Sequence, residues 1–152
     1  MNFEDEDQDW LDDDEADLRK DHKRIYQLPV MQKGREIFRI VHSLIDTLPE
    51  DHDLQFLREQ MLTDAAMIPA KIAGAEGGNM YTLRMENAVM IKLSARALIT
   101  HTYTCEMFSI SDRRYLDLLR QAIDEFRELF VDWVKTFDKS NDLSDGWGQL
   151  FG

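Results

Sequence analysis

The side chains able to do chemistry are few and scattered. The 152 residues include four histidines, at positions 22, 42, 52 and 101, and one cysteine, Cys105. A carboxylate-bridged di-iron site in a helical protein needs Glu-x-x-His pairs facing inward. No histidine here stands three residues after a glutamate, so no such site is expected. His52, between Asp51 and Asp53, reads as an exposed helix start and not as a metal ligand. Cys105 falls on a row of small residues, where a thiol is expected to be buried and structural, not nucleophilic. A lone cysteine also permits no internal disulfide. Gly74 to Gly78 lacks the preceding strand and the Lys-Ser/Thr of a phosphate loop, and reads as a turn. No cofactor and no metal are expected.

One pair points to an enzyme. Arg96 and His101, with four residues between them, match the arginine–histidine motif of HEPN ribonucleases, which are also helical bundles. In that chemistry the arginine stabilises phosphate charge and the histidine transfers a proton. Arg35 and His42 match the same pattern. Eleven arginines and four histidines produce about one such match by chance, so the motif alone does not outweigh a non-enzymatic reading.

A second candidate is electrostatic. Lys71, Arg84, Lys92 and Arg96 can line one edge of two neighbouring helices, and positions 84, 92 and 96 lie within about 120° on a helical wheel. Such a strip either meets phosphates, receives acidic residues, or is ordinary surface charge paired with neighbours such as Glu76 and Glu86. An acidic segment is at hand. Net charge is −12 overall, yet residues 1–18 hold ten acids and no base, so the rest of the chain is nearly neutral. Trp10, Leu11 and Leu18 sit seven or eight residues apart in that segment, which would give a short helix one apolar edge. The segment is therefore either a mobile solubilising tail or an acidic-aromatic arm that docks on a basic surface, on the same or a neighbouring copy.

These residues must be positioned by helices. Hydrophobic residues make up 43% of the chain, enough for a folded core, and only three prolines and seven glycines interrupt it. Alternating spacings of four and three predict a first helix from Pro29 to Leu48, with Val30, Gly34, Ile37, Val41, Leu44 and Leu48 as its seam. A second helix is predicted from Asp51 to Ala75, on Met61, Ala65, Ile68 and Ile72, with a kink expected at Pro69. A third runs from Asn79, its expected cap, to Met107. It is apolar nearly all the way round, with Met85, Val89, Ile99 and Tyr103 outside a seam of Ala88, Ile91, Ala95, Leu98, Thr102 and Cys105. Such a helix is central or half-covered by another subunit. The fourth begins after Ser109 or Ser111 and reaches about Phe137, with Trp133 on its apolar row.

Short connections between them predict an all-α, antiparallel up-down-up-down four-helix bundle. It is expected over residues 28–138, flanked by a partly disordered, flexible acidic arm (1–27) and a short C-terminal tail (139–152). The tail, with Trp147, Leu150 and Phe151, is expected to fold back or self-dock. The acidic N-terminus is unlike a secretory signal, and no apolar run nears the ~20 residues of a membrane span. A cytoplasmic location is expected.

The segment Met67-Ile68-Pro69-Ala70-Lys71-Ile72-Ala73, followed by Gly74-Ala75-Glu76-Gly77, resembles the Ser-Ile-Pro-Ala-Asn-Ile-Ala-Glu-Gly pattern of a bacterial family. Its members are the four-helix-bundle proteins of rRNA intervening sequences, whose relatives include the accessory variability determinants of diversity-generating retroelements. Leu93-Ser94-Ala95-Arg96-Ala97-Leu98 and Lys33-Gly34-Arg35-Glu36 are similar to other parts of that pattern, and the resemblance covers about residues 28–138. Lys71 stands where the family has asparagine. The resemblance implies a ring-like homopentamer and, in some members, nucleic-acid binding through basic surfaces. The expectation is therefore a non-enzymatic, homo-oligomeric interaction or scaffold protein. Met85, Val89, Ile99, Tyr103 and Trp133 are its expected interface, and Lys71, Arg84, Lys92 and Arg96 its expected contacts with nucleic acid or the acidic arm. The alternatives are a nucleic-acid-binding accessory factor of a retroelement-like reverse transcriptase and an HEPN-like ribonuclease.

Overall fold

In the computed structural model the backbone is described for residues 3–152 and side chains from Asp13 onward. The chain is all-α: α1 Phe3–Gln27, α2 Pro29–Thr47, α3 Gln55–Glu76, α4 Tyr81–Met107 and α5 Arg113–Val134, with a 3-10 turn at His52–Leu54. Among the described residues no helix is long and apolar enough to cross a membrane.

Local chemistry sets the boundaries. Pro29 occupies the first turn of α2 and forces the preceding Leu28 into extended backbone (φ −60°, ψ 133°), which separates α1 from α2. Pro49 does the same to Leu48 at the other end. The Asp51 carboxylate accepts from the Asp53 N–H at 3.0 Å and starts the 3-10 turn that leads into α3. His52 lies exposed in that turn. Asp112, and neither Ser109 nor Ser111, caps α5 by accepting from the Arg114 N–H at 2.9 Å.

The expected cap of α4 is different. Met80 occupies the cap position, with no side-chain cap bond, and Asn79 lies outside it. The C-terminal tail supplies the acceptors instead. The Asn141 carbonyl accepts from the Tyr81 N–H at 3.0 Å. The Asp142 carboxylate accepts from the Thr82 N–H at 3.2 Å and from its hydroxyl at 2.7 Å. The hydrogen bond from Thr82 holds the Asp142 carboxyl below its ordinary pKa. Asp142→Ala should therefore speed amide exchange at Tyr81 and Thr82 several-fold while moving the global melting temperature little, as hydrogen–deuterium exchange would show.

All six residues of the predicted α2 seam are buried, as are Met61, Ala65, Ile68 and Ile72 of α3 and all six seam residues of α4. Helix α3 runs through Pro69 as one helix. Small residues let it approach α2 closely there. A Cβ placed on Gly34 would lie 3.0 Å from Ile68 Cγ2 and 3.3 Å from Ile72 Cδ1. Alanine would gain helix propensity, but a larger side chain has nowhere to go. Gly34→Leu should cost about 2 kcal/mol, read as a lower urea midpoint.

Helix α3 packs broadly on both α2 and α4, and α2 on α5, whereas the α4–α5 seam is the thinnest of these contacts. Helix α1 meets the rest mainly through α2, and through Arg24 at its end reaches Glu76 of α3. The backbone is helical over residues 3–27, a longer helix than the short one expected around Trp10 and Leu18. Leu18 lies exposed on it, and the side chains of Trp10 and Leu11 lie outside the described residues.

Candidate assembly and docking surface

Because α4 buries one side against α3 and touches α5 only lightly, its outward side is left to water. Leu83, Val89, Met90, Leu93, Tyr103 and Met107 are all exposed, Leu93 by 55% and Met107 by 78%. Leu83, Met90, Leu93 and Ala97 recur at helical spacing, so they form one stripe and not isolated side chains. A run of exposed apolar side chains of this kind, here with Glu86 between Leu83 and Met90, marks an interaction surface.

Beside the stripe, the thin α4–α5 seam opens into a groove of about 530 Å³. Its floor is apolar: Ala95, Ile99, Ile123, Phe126 and Phe130, with Val131 at the edge. Lys92, Arg96 and Arg127 line the same groove, and all three are exposed. Among the described side chains neither Lys92 nor Arg96 has a carboxylate within ion-pair distance. Arg127 has Asp124 at 3.5 Å, and both are about two-thirds exposed. An exposed pair of this kind is worth little, so Arg127 remains available to a partner.

The expected basic strip is therefore divided. Lys92 and Arg96 come together and gain Arg127 from α5. Lys71 is half-buried on α3 and does not line the groove. Arg84 is a structural residue. Its guanidinium lies 4.1 Å from the centre of the Phe137 ring and pairs with Glu76 at 2.9 Å.

Glu76 is the polar hub at this end of the molecule. Its side chain is only 9% exposed. It takes hydrogen bonds from Arg24 at 2.8 Å, Arg84 at 2.9 Å and the Trp133 indole at 2.7 Å. Burial opposes its ionisation, but the bonds from Arg24 and Trp133 and the charge of Arg84 outweigh that and hold its pKa below the ordinary value. Trp133 also stands edge-on to Phe137, 4.8 Å between ring centres. With 7% exposure and its N–H satisfied within the chain, Trp133 belongs to the core and not to an exposed interface. Met85 is likewise half-buried against the core. Val89 and Tyr103 are exposed as an interface requires, the Tyr103 ring carrying the Arg120 guanidinium 4.6 Å from its centre, and Ile99 lines the groove.

The arginine and histidine of the ribonuclease-like motif face different neighbours. Arg96 lines the groove toward α5, whereas His101 reaches α3, with Nε2 3.4 Å from Asp64 Oδ2. Burial pushes the Asp64 carboxyl above its ordinary pKa, although the adjacent His101 pulls it back. Cys105 is fully buried, and burial raises its thiol pKa, away from nucleophilic use.

Sequence reasoning anticipates Arg84 with Glu76 but misses Arg24 and Trp133 as their companions, and it misses Arg127 in the groove. No local signal could have found these. Each partner comes from a helix distant in sequence, and Arg127 reads like any charge on the wet face of α5.

Fold and surface together define a class: an all-α chain with an exposed apolar helix face beside a cation-lined groove. No protein-family model matches the chain, and no curated protein matches it either.

Proposed function

We propose that this protein is a non-enzymatic, self-assembling scaffold or interaction module. Its body would be an antiparallel four-helix bundle of α2 to α5, whose copies join through the outward face of α4. The observation that carries this reading is the exposed row of Leu83, Val89, Met90 and Leu93, with Glu86 among them, on a helix whose opposite side is buried. The up-down-up-down order is supported by what meets at the Glu76 hub. Glu76 at the end of α3 accepts from Arg24 in the last turn of α1, from Arg84 at the start of α4 and from Trp133 at the end of α5. At the opposite pole Arg58 in the first turn of α3 donates to the Leu48 carbonyl at the end of α2, and Arg120 of α5 donates to Glu106 near the end of α4. The resemblance to the rRNA intervening-sequence bundle family puts five copies first among the stoichiometries to test.

Sedimentation velocity of the full chain over a hundredfold concentration range tests the reading. The expected species is a multiple of 17.9 kDa. A folded single subunit at every concentration would end it. The cations at Lys92, Arg96 and Arg127 favour one second reading, an accessory factor for nucleic acid. That reading requires binding of a short single strand at low salt which weakens steeply as salt is raised. The separation of Arg96 from His101 onto different faces gives the ribonuclease reading no comparable support.

A further inference from the structure

We propose that the groove between α4 and α5 receives the acidic segment of α1 around Asp13, Asp17 and Leu18 from a second copy of this chain. The inference rests on the self-assembly reading and names the segment that the assembled surface takes. Two features, each unexplained within one copy, fit one another.

The first is the groove, apolar at its floor and cationic along its sides. Lys92 and Arg96 are spaced one helical turn apart, and Arg127 faces them from α5. The body carries almost no net charge, so this concentration of cations is local. The second is α1. Ten acids and no base in residues 1–18 repel one another along a helix, where like charges three and four positions apart destabilise it. A helix of this composition is marginal in water unless a basic or apolar surface supports it.

Over the described side chains its own body gives it none as far as Lys23. Every described side chain from Asp13 to Arg24 is exposed, Leu18 by 72%, and the first buried residue is Ile25. With α1 unbroken from Phe3 to Gln27, residue 13 stands about 18 Å along the axis from Ile25 at 1.5 Å per residue. Helix α1 rests on α2, whereas the groove lies between α4 and α5. Reaching its own groove would require breaking the helix, so the occupant is a neighbour's arm. The spacing suits it. Asp13 and Asp17 are separated by one turn, as are Lys92 and Arg96, so two ion pairs can form in register. Leu18 then falls near the apolar edge at Phe130 and Val131.

Charge reversal and its rescue test this in the full-length chain, with helicity checked by circular dichroism. The arm variant is Asp13→Lys, Asp14→Lys, Asp17→Lys; the groove variant is Lys92→Glu, Arg96→Glu, Arg127→Glu; the third chain carries all six changes. In low salt each triple variant should weaken self-association about tenfold or more, and the sixfold variant should restore it to within about threefold of wild type. High salt should narrow all three differences. A wild type that assembles while both triple variants assemble equally well overturns arm docking and leaves the α4 face standing. Weakening by the groove variant alone, without rescue, also overturns it, because the groove then serves another occupant, nucleic acid included. A wild type that never assembles removes both readings together. Should a triple variant lose helicity, a disulfide decides instead. Leu18→Cys in one tagged copy should cross-link to Val131→Cys in another, the native Cys105 being buried, and failure to cross-link in an assembled mixture would overturn the proposal.

Discussion

Replacing Met90 and Leu93 together by glutamate should raise the dissociation constant of the assembly by a factor of about a thousand or more while leaving the helical signal intact. Leu93 is 55% exposed and Met90 37%, and neither belongs to the buried core, so the monomer loses less than the assembly does. Across an interface each buried apolar side chain of this size is worth about 1.5–3 kcal/mol. Two losses at that scale, with two unpaired carboxylates to desolvate, exceed the 4.1 kcal/mol or so that a thousandfold change requires. Light scattering at a fixed concentration would show the mass falling toward 17.9 kDa. An unchanged mass would mean that copies join through some other surface. Val89→Glu serves as a graded control, since it places one carboxylate on the same face instead of two.

Glu76→Ala carries the largest expected effect on stability within one copy, about 3 kcal/mol. It removes the acceptor of the Trp133 N–H and strands the Arg84 guanidinium, which is 13% exposed, with no carboxylate at hand. The aromatic and cation contacts at Phe137 are built on the same arrangement, so the end of α5 should loosen as well. Chemical denaturation would give the loss directly. Arg24→Ala should cost much less, because the Arg24 side chain is about half exposed and water screens it.

The same site gives the protein an acid limit. The folded-state pKa of Glu76 lies below its ordinary 4.5, so the unfolded chain takes up the proton first. Its contribution to stability is therefore complete above about 4.5 and is lost as pH falls from there through the lower folded value. Asp64 works in the opposite sense. Burial raises its folded pKa above 3.8, so its ionised form detracts from stability above that value, and protonation relieves the cost as pH falls. Glu76→Ala should flatten the pH dependence of the melting temperature below pH 4.5.

Much of the architecture is readable one helix at a time. The four-and-three spacing of apolar residues, Pro29 and Pro49 at the ends of α2 and the paired glycines after α3 locate the elements, because each signal acts within one or two turns of the chain. The same periodicity shows that α4 has more apolar surface than one seam can use, which is why Val89 and Tyr103 are recognisable as surface candidates. It also misplaces Trp133 and Met85, since a wheel shows that a residue is apolar but not which neighbour stands opposite. For the acidic arm the sequence leaves two readings open, because its composition argues for a solvated tail and its apolar spacing for a short helix.

What the amino-acid sequence by itself determines here is local: helix positions, the buried seams, the lopsided charge, and the excess of apolar surface on α4. Only the tertiary structure decides that Arg84 is held by Glu76 and Phe137, that Asp142 caps a helix sixty residues earlier, and that Lys92 and Arg96 meet Arg127 across an open seam. The reason is physical. Periodicity is imposed by the geometry of one helix, whereas these contacts depend on how close, and at what angle, helices far apart in the chain come to rest against one another.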